Sequence, residues 1–131
     1  MNNDIIDKDG NITTVRGDWL PITFNPTDKD GNPYTFQEGD VIRFKIIKKK
    51  DCNCVELQKD FEPVAGSTSI DLDLLASEMK IGDIINKPVD YWYEIILNPE
   101  TDYEITLVGF KSKETGAKTL TLMPEGGKKN A

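Results

Sequence analysis

The sequence predicts an all-β fold, a two-sheet antiparallel β-sandwich carrying one short helix. Two observations point there. Apolar and polar residues alternate at period two over most of the chain, the pattern of strands that bury one face. Turn-forming clusters, among them Asp28-Lys29-Asp30-Gly31-Asn32-Pro33 and Asn98-Pro99-Glu100-Thr101-Asp102, separate these runs at intervals suited to hairpins.

Residues 1–10 read as a loosely held arm, 11–123 as a single sandwich domain and 124–131 as a frayed tail. Inside the domain, Leu20, Ile22 and Phe24 share one face of a strand, with Trp19, Pro21 and Thr23 on the other. Ile42, Phe44 and Ile46 alternate in the same way with Arg43, Lys45 and Ile47, and Val55 and Leu57 with Glu56 and Gln58. Between them, Lys48-Lys49-Lys50-Asp51-Cys52-Asn53-Cys54 is polar enough to be a hairpin tip, its lysines guarding strand ends against edge-to-edge pairing.

Ile70-Asp71-Leu72 predicts a short strand that runs into the one stretch with helical spacing, residues 73–80, capped by Asp73 and ended by Gly82. After Pro88 alternation returns at its strongest. Tyr91, Tyr93, Ile95 and Leu97 share a face that should fill the core, opposite Trp92, Glu94 and Ile96. Tyr103, Ile105 and Leu107 are expected on one face of a hairpin partner, and a last strand is expected near Thr119–Met123, for seven or eight strands in all.

Composition narrows the function. With 131 residues, 37% hydrophobic and 30% charged, the chain suits one globular core. No apolar run approaches the roughly 18 residues of a membrane helix, and the acidic start Met1-Asn2-Asn3-Asp4 lacks the basic, then apolar, pattern of a secretory signal. The expectation is synthesis in the cytoplasm without a membrane partner. A net charge of −7 repels a phosphate backbone, so nucleic acid is not an expected partner either.

The chemistry-bearing motifs are weak. Asp-Lys-Asp-Gly-Asn occurs at Asp7–Asn11 and again at Asp28–Asn32, but neither copy supplies the glycine and the bidentate acid that a calcium loop requires further on, so both read as turns. Arg16-Gly17-Asp18 matches a short adhesion tripeptide, yet it abuts a strand, where glycine permits the bend and aspartate accepts from turn backbone. Cys52 and Cys54 are one residue apart, too close for an easy bridge and too few for zinc without histidine, of which there is none; they are expected reduced and inert. No metal or other cofactor is expected.

The absence of histidine also removes the usual general base. Carboxylate pairs at i and i+2, Asp71 with Asp73 and Asp102 with Glu104, share a strand face but form no acid/base constellation, so no catalytic residue is assigned and the chain is read as non-enzymatic. Trp19 and Trp92, opposite the core faces of their strands, are the candidate contacts for a protein partner or a glycan.

Arg16-Gly17-Asp18-Trp19 before an apolar strand, Asp28-Lys29-Asp30-Gly31-Asn32-Pro33-Tyr34, Gly39-Asp40-Val41-Ile42-Arg43-Phe44, Tyr91-Trp92-Tyr93-Glu94-Ile95 and Thr106-Leu107-Val108-Gly109-Phe110 occur in that order across residues 12–123. In these segments the chain resembles the immunoglobulin-like N-terminal domain of tail baseplate upper proteins, and related small tail proteins, of phages and prophages of Gram-positive bacteria. The resemblance implies an immunoglobulin-like sandwich with a structural role in a virion, docking to other tail or baseplate proteins or to further copies of itself. A carbohydrate-binding or cell-surface adhesion module, with Trp19 or Trp92 as stacking platform, is the alternative.

Overall fold

The computed structural model describes residues 10–28, 30–48, 54–83, 85–109 and 118–125. Among them are eight strands: β1 (Ile12–Val15), β2 (Leu20–Phe24), β3 (Ile42–Ile47), β4 (Val55–Phe61), β5 (Ile70–Leu74), β6 (Val89–Leu97), β7 (Ile105–Val108) and β8 (Lys118–Met123). Six form a large sheet in the order β1-β8-β6-β3-β4, with β7 also on β6; β2 and β5 form a small sheet of their own. The chain is all-β, and the two sheets pack as a sandwich.

Alternation decides which side chains meet between the sheets. From the small sheet come Leu20, Ile22, Leu72 and Leu74; from the large sheet come Ile42, Phe44, Ile46, Tyr91, Tyr93, Ile95, Leu97, Leu120 and Leu122. Phe44 is fully buried and its ring stacks on Tyr93 at 5.5 Å between centroids. Burying a side chain of this size contributes about 1.5–3 kcal/mol, so this layer dominates the stability of the domain. The Tyr93 hydroxyl reaches the edge of that layer and donates to the Gly10 carbonyl, tying the start of the described chain to the large sheet.

Four expectations are corrected. Residues 73–80 do not form a helix: β5 continues through Leu74, and a single turn follows in which the Glu78 and Met79 amides donate to the Leu75 carbonyl. Pairing with β2 captures Asp73 and Leu74 for the sheet, leaving too few residues for a helix to propagate. The sheets are not wholly antiparallel, since β1 runs parallel to β8. In β7, Ile105 is 54% exposed and Tyr103, which precedes the strand, is 78% exposed; Val108 is the residue that enters the core. A register shift places Thr106 opposite Ile96 but Val108 opposite Ile95, and the extra residue moves the rest of the strand to the other face. Finally, Cys54 is disulfide-bonded rather than reduced. Bridging depends on approach in space, which spacing along the chain does not decide; Cys52 lies outside the described residues.

Candidate functional site, the outer face of the small sheet

Two strands that, among the described residues, are joined only to each other present an outer face of two residue pairs. The β2–β5 register sets Pro21 opposite Asp73 and Thr23 opposite Asp71. The paired register ends at Leu20–Leu74; Trp19 immediately precedes β2 and Leu75 immediately follows β5 at that same end. Trp19 is 57% exposed and Leu75 50% exposed. The indole Nε1 donates to Asp73 Oδ1 at 3.2 Å, and the Thr23 hydroxyl donates to Asp71 Oδ1 at 3.1 Å. The result is an apolar patch of Trp19, Pro21 and Leu75 bordered by two oriented carboxylates.

A charged brace underlies this patch. Lys59 of β4 crosses to the small sheet, where its ammonium donates to the Asp73 carbonyl at 2.8 Å and to Glu78 Oε1 at 2.9 Å. The same Glu78 oxygen accepts the Leu75 amide at 2.8 Å. The Leu75 amide and then the Lys59 ammonium hold the Glu78 carboxyl below its ordinary range. The turn carrying Leu75 is thereby fixed, so the exposed leucine sits on a braced segment.

Trp92 is placed elsewhere. It lies on the outer face of the large sheet, half-buried, between cross-strand neighbours Ile47 and Thr119. The two tryptophans therefore occupy opposite outer faces and make no common site. Near Trp92's sheet face, Arg43 donates through Nε and Nη2 to both oxygens of Asp60 and through Nη1 to Glu100, while Lys45 lies 3.9 Å from Glu94. Hydrogen bonds to Asp60 and then Glu100 raise the Arg43 pKa further above its already high value. These charges pair with one another around a shallow polar depression that Arg43, Lys45, Glu94 and Glu100 line.

The short motifs resolve into structure. Arg16 is buried: its Nε donates to the Ile81 carbonyl at 2.8 Å, Nη2 to the Gly82 carbonyl at 2.7 Å and Nη1 to Glu125. An adhesion tripeptide needs that guanidinium in solvent. In the second Asp-Lys-Asp-Gly-Asn copy, Asp28 Oδ1 accepts the amides of Asp30 and Asn32, which makes it the closure of a turn. Residues 7–9 of the first copy lie outside the described residues. Asp71 and Asp73, read as a same-face pair, do share the outer face, and each accepts from a neighbour on β2 or just before it.

Comparison with protein-family models, curated proteins and solved structures finds no match to this chain. Sequence reasoning singled out Trp19 but missed Leu75 as its companion, because Leu75 falls inside the stretch with helical spacing. The available signal was the strict alternation Ile70, Leu72, Leu74, which carries the strand to Leu74 and leaves Leu75 just beyond its end.

Proposed function

We propose that this chain is a non-enzymatic interaction module, a structural component of a phage or prophage tail or baseplate that docks to other virion subunits. The observation that carries the docking reading is Trp19, 57% exposed on a braced sheet beside the half-exposed Leu75. Rigid, exposed aromatic side chains with an apolar neighbour are the usual anchors of protein interfaces. The tail assignment is supported by the resemblance of the segments around Trp19, Tyr34, Phe44 and Tyr93, in chain order. On this reading the protein is made in the bacterial cytoplasm and resides in the virion, with other tail or baseplate proteins, or further copies of itself, as partners.

Two measurements test this. The genes beside this one should encode tail or baseplate proteins, and the purified chain should co-elute with one of their products in size-exclusion chromatography. Trp19→Ala should abolish the co-elution. A metabolic gene neighbourhood with no binding product overturns the proposal.

One observation favours a second reading. Trp19 flanked by Asp71, Asp73 and Thr23 also has the makings of a sugar platform, a ring face to stack on with oriented acceptors beside it. Titration with cell-wall polysaccharide should then shift the tryptophan fluorescence, and Trp19→Ala should remove the shift. Silence across a broad glycan panel eliminates this alternative.

A further inference from the structure

The small sheet has two strands and the large sheet six, so the inner face of the large sheet is not covered to its end. At the turn between β6 and β7 this leaves a groove of about 530 Å³, with Leu97 and Ile105 as apolar residues and Tyr34 and Tyr103 as aromatic ones. The size is that of a site for one or two side chains. Tyr103 and Ile105 are exposed at 78% and 54%, in a chain where most large apolar side chains are buried.

Among the described residues the charge of the groove has a single sign: Asp40, Asp102 and Glu104 line it, and no described lysine or arginine does. Asp40 is held in place: its Oδ2 accepts from the Tyr34 hydroxyl and the Gln37 amide, both at 2.8 Å, and its Oδ1 from Asn98 Nδ2 at 3.1 Å. Burial works against its charge, but the hydrogen bonds from Gln37, Tyr34 and Asn98 prevail and keep it ionised below its ordinary range. This carboxylate is a fixed negative charge at 9% exposure, and Asp102 adds a second at the exposed rim.

We infer that this groove is a docking site for an extended segment of a partner protein that presents an arginine flanked by apolar residues. A guanidinium suits it on each count. Its planar head stacks on tyrosine rings and pairs with carboxylates, while its aliphatic stem and neighbouring apolar side chains cover Leu97 and Ile105. An anionic segment would meet only carboxylates, and a purely apolar one would bury Asp40 and Asp102 without a counter-charge. The groove is separate from the Trp19 face and does not depend on the tail reading.

The test uses the full chain labelled with nitrogen-15 and two peptides, acetyl-Leu-Arg-Leu-Arg-amide and acetyl-Leu-Glu-Leu-Glu-amide. The arginine peptide should give saturable shifts confined to residues 34–40 and 97–105, weakening as salt is raised, and the glutamate peptide none. Tyr103→Ala and Asp102→Asn, both at exposed positions that the fold tolerates, should each weaken binding about tenfold or more. Glu56→Gln, at an exposed position of β4 outside both the groove and the Trp19 face, should leave it unchanged. The proposal is overturned if neither peptide saturates, if both bind equally, or if Glu56→Gln weakens binding as much as Asp102→Asn, since that last result would reflect general attraction to an acidic chain.

Discussion

Arg16 and Trp19 are three residues apart and have opposite fates. Arg16 is buried, with its guanidinium engaged by two carbonyls and the Glu125 carboxylate, whereas Trp19 stands more than half exposed with a single hydrogen bond to Asp73. The turn between them explains the difference: Asp18 N–H donates to the Val15 carbonyl and Gly17, at φ +84°, lets the chain reverse. On one side of that turn polar groups close a corner of the sandwich; on the other the chain begins a sheet whose outer face nothing covers among the described residues. Residues that are adjacent in sequence thus serve stability and contact separately, and substitutions should separate them.

The largest effect is expected at the corner. Arg16→Ala should lower unfolding free energy by about 3 kcal/mol, because it leaves the Glu125 carboxylate and the Ile81 and Gly82 carbonyls without their buried donor. Urea denaturation measures it, and a change below about 1 kcal/mol would mean the corner is not a stabilising element. Gly17→Ala should follow, at about 1–2 kcal/mol, since an L side chain is disfavoured at this positive φ even though its Cβ would meet only an ordinary contact, Lys80 Cγ at 3.5 Å. A neutral outcome would show that the turn relaxes.

A pH effect should come next, on the exposed side. The Glu78 carboxyl is held below its ordinary value near 4.5 by the Leu75 amide and Lys59. A depressed folded pKa supplies stability that is present above the unfolded value and lost as pH falls through the folded one. Stability should therefore drop below about pH 4.5, and Glu78→Gln should show a shallower acid limb in a pH series of thermal melts. Parallel limbs would remove Glu78 as a contributor. The smallest effect belongs to Trp19→Ala, expected to change stability by less than about 1 kcal/mol because most of the ring is already in water. A loss comparable with that of Arg16→Ala would turn Trp19 into a structural residue and withdraw its face as an interface.

The core was legible in the sequence where alternation is uninterrupted. Ile42, Phe44 and Ile46, and Tyr91, Tyr93, Ile95 and Leu97, point inward as period two requires. Legibility failed where a local pattern competes with pairing to a distant strand. Asp73 and Leu74 have the spacing of a helix start, but their partners Pro21 and Leu20 lie more than fifty residues earlier. Ile105 follows the alternation, opposite the inward Leu97, and is still exposed because it lines the groove at the turn between β6 and β7; the extra residue of β7, which turns Val108 inward, is visible only against β6. For the candidate site, Trp19 could be named from its strand face, whereas the exposed Leu75 just after β5 could not.

By itself the sequence determined the all-β class, the strands with clean alternation and the identity of most core residues, because side-chain direction along a strand follows from backbone geometry alone. It also determined that Asp28 and Gly31 build a turn, since Asx and glycine preferences are local. Only the tertiary structure decided the six-to-two division of strands, the parallel docking of β1 on β8, the burial of Arg16, and the two surfaces that division leaves open. Those outcomes depend on which strands pair and on how far one sheet covers the other, and pairing is a relation between residues that the chain separates and the fold brings together.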